Sequence, residues 1–193
     1  ALNTIQKRLR IRFTEVCFVI CRDLYQSFNI TRDKKNIIKA KEYLDLMKEY
    51  NPDSYFFNTF RAIYEFLINK DIDEAIRQLG ISNNTEDHTW RYNLAFLYAF
   101  KGKLKKTKKQ YDKALALTNL SIISECEVFM SEVIEENPDK YELLFARGYL
   151  NYKIKGDMAL AKQDFNKFLE CSNKLSTYKE EQSLVKAYLA QIN

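Results

Sequence analysis

Only six of the 193 residues have a backbone that resists the α-helix: Gly80, Gly102, Gly148, Gly156, Pro52 and Pro138. A sheet joined by tight hairpins needs glycine at its positive-φ turn positions, and a dinucleotide fold needs a glycine-rich phosphate turn. Four glycines do not supply either, so the chain is constrained to long helices joined by short turns. Hydrophobic residues make up 46% of the sequence, enough to fill a core and to exclude global disorder. No apolar run approaches the ~18 residues of a bilayer span, and no signal-peptide core opens the chain. The sequence starts without Met, which reads as a processed or partial chain and leaves a membrane segment outside these residues open.

Charge and cysteine usage narrow the class further. The formal charge is +5, from 31 Lys+Arg against 26 Asp+Glu, a milder basic bias than a dedicated nucleic-acid binder carries. Cys17, Cys21, Cys126 and Cys171 form no C-x-x-C pair, and the chain has one histidine, His88. The expectation is four reduced thiols, no zinc or other metal, no cofactor, and a cytoplasmic chain or the cytoplasmic portion of a larger one. No phosphate-loop, dinucleotide, nucleophile-elbow or zinc-protease motif occurs. The expected function is therefore non-catalytic.

The apolar spacing is helical almost throughout. A first helix over 3–29 places Ile5, Leu9, Phe13, Val16, Leu24 and Phe28 near one face. Thr31-Arg32-Asp33 interrupts it, with Asp33 suited to cap the next helix. The second helix runs to Tyr50 and stops at Asn51-Pro52, because proline disfavours α geometry in the residue before it. A third opens at Asp53 or Ser54 and ends near Asn69. A fourth covers Asp71 to Leu79, with Gly80 as its terminating residue. Six more are expected at about 87–101, 103–117, 120–136, 139–155, 157–171 and 176–192, for ten helices and no strand. The polar stretch Ser82–Asp87 is short enough to be a connection within one domain.

Three junctions in this array repeat. Lys70 to Ala75, Gly102 to Thr107 and Gly156 to Ala161 each pass through a polar turn and an apolar residue to a small residue. Leu79, Tyr111 and Phe165 follow four residues later. A small residue lets two helices approach, and a large one fills the groove beside it. The pattern resembles the tetratricopeptide repeat, with a period of 34 residues. Its best copy is Trp90 to Leu117, with Ala95, Tyr98, Gly102, Thr107, Tyr111 and Ala114. A second copy runs from Phe145 through Gly148 and Phe165 to Leu169, with one extra residue before Gly156. A weaker one spans Phe56 to Leu79, and a partial one is Ala40, Leu44, Met47 and Pro52. Ala75 to Thr107 is 32 residues, but Thr107 to Ala161 is 54. The gap holds an extra helix near 120–136, expected to break the phase of the stack and alter its path.

The resemblance implies an all-α, right-handed superhelical stack of antiparallel helix hairpins forming one domain over 1–193. In it, 1–32 is an N-terminal capping helix, 33–171 holds degenerate repeats, and 172–193 is a C-terminal cap. It also implies a concave surface lined by the first helix of each hairpin. Carried over by position, that lining includes Phe57, Phe60, Tyr64, Tyr92, Phe96, Phe100, Tyr149 and Tyr152. An aromatic groove suits a protein partner supplying a peptide or helix. The same rings are equally readable as packing, if the stack coils tightly or its first helix folds into the groove.

Two charge runs complete the picture. Residues 101–113 hold seven lysines, among them Lys101, Lys105, Lys106, Lys108 and Lys109, and one aspartate. Residues 125–142 hold seven acids and Lys140. Mutual neutralisation or a solvated face is the plainer reading. The alternative is a regulatory helical domain that uses the lysines against an acidic partner or nucleic acid, with nucleic acid the lesser expectation.

Overall fold

The computed structural model describes residues 2–51, 55–81, 89–114 and 120–192. Among these it contains ten α-helices and no strand. Their contacts divide the chain into two compact units, residues 1–84 and 85–193. Ser82–Asp87, read as a connection inside one domain, falls at this division and outside the described residues, as do Pro52, Asp53, Ser54, His88 and Leu115.

The first unit holds α1 (Leu2–Thr31), α2 (Lys34–Tyr50), α3 (Tyr55–Tyr64) and α4 (Ile72–Ile81). The second holds α5 (Thr89–Phe100), α6 (Leu104–Ala114), α7 (Leu120–Glu136), α8 (Glu142–Leu150), α9 (Met158–Ser172) and α10 (Lys179–Ile192). A short 3₁₀ turn, Ser176–Tyr178, leads into α10.

One turn geometry builds every hairpin. Positive φ occurs among the described residues at Arg32 (55°), Lys70 (59°), Gly102 (70°) and Gly156 (82°). These four residues separate α1 from α2, α3 from α4, α5 from α6 and α8 from α9, the four pairs that pack as hairpins. A left-handed residue ends a helix by turning its last N–H groups back onto the preceding turn. In three of the four turns the next residue is an aspartate whose side chain caps the following helix. Asp33 accepts from the Lys35 N–H at 2.9 Å, Asp71 from Glu74 at 2.9 Å and Asp157 from Leu160 at 3.0 Å. The helix over 1–32 is thus the first arm of a fourth hairpin of the same design. Gly80 does not terminate α4, which continues through it to Ile81; the residue with terminating geometry in this hairpin is Lys70, at its turn.

The extra residue noted before Gly156 has a structural counterpart. The small residues Gly148 and Ala161 are 13 positions apart, Ala95 and Thr107 are 12, and Ala62 and Ala75 are again 13. Both longer hairpins end their first helix in a π turn, Glu65–Asn69 and Asn151–Lys155. The shorter one has none. A single-residue insertion inside a helix is absorbed as such a bulge, leaving the small residues in register with the next helix.

The hairpins of each unit stack in one manner. In the first unit α3 packs against both α1 and α2, and in the second α8 packs against both α5 and α6. The extra helix α7 stands aside from this stacking, against α5 and α8. It does not displace the following hairpin, contrary to the expected break in phase. The close approach is tightest at Gly148, where an added Cβ would lie 2.8 Å from the Phe165 ring.

The packed face of α1 also differs from expectation. Its buried residues are Thr14, Cys17, Cys21, Tyr25 and Phe28, while Ile5, Leu9, Phe13 and Val16 are exposed. Partner contacts decide the rotation: Cys21 Sγ lies 3.6 Å from the Ala40 carbonyl oxygen, and the Tyr25 hydroxyl donates to the Phe60 carbonyl at 2.6 Å.

Backbone strain at the turns is testable because two of the four carry side chains. Gly156→Ala, where no neighbour would touch the new methyl, is expected to cost about 1–2 kcal/mol. Lys70→Gly is expected to stabilise by up to about 1 kcal/mol. Urea melts of the two variants measure both signs.

Candidate interaction surfaces

The aromatic side chains assigned to a partner are mostly spent on packing. Phe57 and Tyr64 are buried, and Phe60 is half-buried under Tyr25, stacked at 4.7 Å between ring centroids, with Phe18 at 5.8 Å. The one-residue insertion at 65–69 is the physical reason for part of this, since it shifts the positions carried into this copy by one. In the second unit Tyr92 and Phe96 are buried. Phe96 meets Phe129 of α7 edge-on at 5.4 Å and Phe100 at 6.1 Å. Tyr149 is buried among Tyr111, Phe145 and Tyr188 at 5.8–6.2 Å, and its hydroxyl donates to Asp112. Phe100 and Tyr152 keep part of their surface; Lys140 lies over Phe100 at 5.3 Å, and Tyr152 bonds Gln191 and stacks on Tyr188 at 4.7 Å.

For Phe96 the reason lies in α7, whereas Tyr149 is closed in by Tyr111 of α6 and Tyr188 of α10. Ile123, Glu127, Met130 and Val133 are buried, so one face of the helix packs against α5 and α8, the first helices of two successive hairpins. An amphipathic helix of the chain itself thus covers the surface that sequence reasoning left open for a partner.

A cluster that the sequence reading missed holds α7 there. Arg147, on α8, donates from Nε and Nη2 to both carboxylate oxygens of Asp164 on α9, at 2.8 and 2.7 Å. Its Nη1 donates to Ser131 Oγ of α7 at 2.8 Å. Asp164 is buried, and the pairing holds the Arg147 guanidinium charged. Lys155 pairs with Glu127 beside it. The available signal was positional: Arg61 and Arg147 each directly precede the small residue of their helix, and Arg61 pairs with the buried Glu65 at 2.5 Å.

Behind α7, the buried hydroxyls of Tyr92 and Tyr111 find no hydrogen-bond partner among the described residues. Burial, and secondarily the charge of Glu125, pushes the Cys126 thiol up to about 12. Burial raises Tyr111 well above its ordinary value as well. These groups stay protonated and neutral, so they offer no nucleophile near neutral pH. All four cysteines are free thiols, with Cys171 exposed.

The lysine cluster is partly compensated from within the unit. Lys105 pairs with Glu180 of α10 at 2.8 Å and Lys108 with Asp112 at 2.6 Å. Lys106 lies over the Tyr98 ring at 5.3 Å and Lys108 over Tyr149 at 5.6 Å. Lys101 is half-buried, whereas Lys103 and Lys109 are exposed. The acid that Lys105 meets comes from α10, not from the acidic run at 125–142. A shallow cleft of about 200 Å³ beside the start of α6 is lined by Gly102, Lys103, Lys105, Lys106, Tyr178 and Glu181. Among the described residues no group of three His, Cys, Asp or Glu converges as a metal site, and no helix is long and apolar enough to cross a membrane.

Comparison with family models, with curated proteins and with solved structures yields no match to this chain.

Two outcomes follow from this packing. Phe96→Ala is expected to cost about 3–5 kcal/mol of stability in a denaturant melt, instead of leaving helicity and melting unchanged. Near pH 8 a thiol reagent is expected to label Cys171 first, while the half-buried Cys126 and the buried Cys21, both pushed up to about 12 by burial, react more slowly, Cys21 only on unfolding. Their raised values mean that native stability holds below pH 9 and falls as pH rises towards 12.

Proposed function

We propose that the chain is a non-catalytic, protein-binding helical module whose units are built as right-handed stacks of tetratricopeptide-like hairpins. The observation that carries the reading is the position of α7. The face formed by α5 and α8 accepts an amphipathic helix in cis, with Phe129 set against Phe96 at 5.4 Å. Helix-in-groove recognition uses this chemistry, with apolar anchors at helical spacing and a polar rim. A partner would meet what remains accessible of the aromatic surface, at Phe100 and Tyr152, instead of the buried Tyr92, Phe96 and Tyr149. The unpaired thiols fit a reducing, cytoplasmic setting.

A second reading is favoured by the exposed lysines Lys103, Lys105, Lys106 and Lys109 at and along α6. No acidic residue occupies the first turn of that helix, where the helix dipole favours negative charge. An acidic partner would supply it.

Peptide display against the full chain separates the two. The helix-binding reading expects selected peptides with apolar residues at i, i+3 and i+4. Their affinity should fall roughly tenfold in Phe100→Ala or Tyr152→Ala, the usual scale for a truncated anchor, with melting unchanged. Selection of acidic peptides or nucleic acid, with affinity falling steeply between about 50 and 200 mM salt and lost in Lys103→Gln/Lys109→Gln, favours the second reading. Absence of any binder contradicts both.

A further inference from the structure

α1 is 30 residues long, but its hairpin partner α2 has only 17. At 1.5 Å per residue the difference is about 20 Å of helix, and every residue from 2 to 13 is exposed. Leu2, Ile5 and Leu9 of this extension fall on one meridian by i, i+3 and i+4 spacing, which continues beside α2 through Phe13, edge-on to Tyr50 at 5.1 Å, to the exposed Val16. That meridian lies roughly a third of a turn from the packed stripe of Thr14, Cys17, Cys21, Tyr25 and Phe28 at 3.6 residues per turn. Leu2 is 70%, Leu9 64% and Val16 57% exposed. The charged residues of the same stretch are Lys7, Arg8, Arg10 and Arg12. The first carboxylate is Glu15, which pairs with Arg12 at 2.9 Å. By helical rotation Arg8 and Arg12 stand on one side of the apolar meridian and Arg10 on the other, with Lys7 nearly opposite it.

We propose that the N-terminal half of α1 is an interfacial helix that lays its Leu2–Ile5–Leu9–Val16 meridian into an anionic lipid surface, with the flanking basic side chains on the headgroups. An apolar stripe edged by Lys and Arg is the pattern of a helix lying in the membrane plane, and long basic side chains reach out from such a position to charged headgroups. Charge decides between occupants. A second copy of α1 on this face would bring two sets of three flanking basic residues into one seam, like against like. A planar anionic surface meets both basic flanks at once. The inference is independent of the groove reading, since no residue of the aromatic surface takes part.

The test is flotation of the full chain with phosphatidylcholine vesicles, with and without phosphatidylglycerol. The chain is expected to float with the anionic vesicles and to bind neutral ones at least roughly tenfold more weakly, because each basic residue at an anionic surface contributes on the order of fivefold. Raising the salt should release it. Leu9→Asp and the double variant Arg8→Gln/Arg10→Gln should each lose binding by roughly tenfold or more, with melting unchanged because these side chains are exposed. Equal binding to neutral vesicles, no binding to either, or binding indifferent to Leu9→Asp overturns the proposal. So does a concentration-dependent dimer in sedimentation that Leu9→Asp abolishes, which would assign the face to a second copy.

Discussion

The arrangement of the second unit depends on one guanidinium, half-buried on Arg147, and the buried carboxylate of Asp164. Arg147 ties α8 to α9 through both oxygens of Asp164 and ties α8 to α7 through Ser131. A bidentate pair has fixed geometry, so the three helices cannot slide independently. Removing one partner would strand the other charge in the core at a cost of about 3–5 kcal/mol. The third contact joins to them a helix that interrupts the repeat spacing and packs on the face formed by α5 and α8, where its Phe129 covers Phe96.

Seen from that contact, the abundance of Tyr and Phe has a structural explanation. Rings such as Tyr111, Tyr149 and Phe165 bury large areas at low entropic cost and pack edge-on or offset. They join successive helices where a small residue permits close approach, as at Gly148 against Phe165. Their polar tips are satisfied where a partner stands near, as for Tyr149 on Asp112 and Tyr178 on Glu142. Tyr92 and Tyr111 lack one among the described residues. What stays accessible around these rings is the remaining edges of Phe100 and Tyr152 and the exposed lysines of α6.

Much of the helical layout was legible in the sequence, because apolar periodicity and punctuation report local geometry directly. The bounds of α7 at 120–136 and the turns at Gly102 and Gly156 were read from spacing alone. The turn at Lys70 aligns with those two in the sequence although it carries a side chain, whereas Thr31-Arg32-Asp33 reads only as an interruption, because Arg32 occupies a left-handed position that glycine would have announced. What matters there is the aspartate that follows, and Asp33 was recognised only as a cap. The π turns were half legible: an extra residue was counted before Gly156, but its twin at 65–69 was not. This is why Phe57 and Tyr64 were assigned to a surface and are found inside. The face of α1 was misjudged for a different reason. That helix has two apolar stripes, and hydrophobicity alone does not say which one meets α2 and α3. Of the long-range pairing of Arg147 with Asp164 the sequence carries only the position of the arginine, directly before the small residue of its helix, and nothing that names its partner.

The central claim is that α7 is a fixed part of the second unit, holding the aromatic face closed. Native-state hydrogen exchange measures it directly, because protection reports the free energy of opening each segment. The account predicts that the amides from Ile123 to Val133 are protected to the same degree as those of α8. Exchange of this segment at rates near those of an unfolded chain, with α8 still protected, would contradict it.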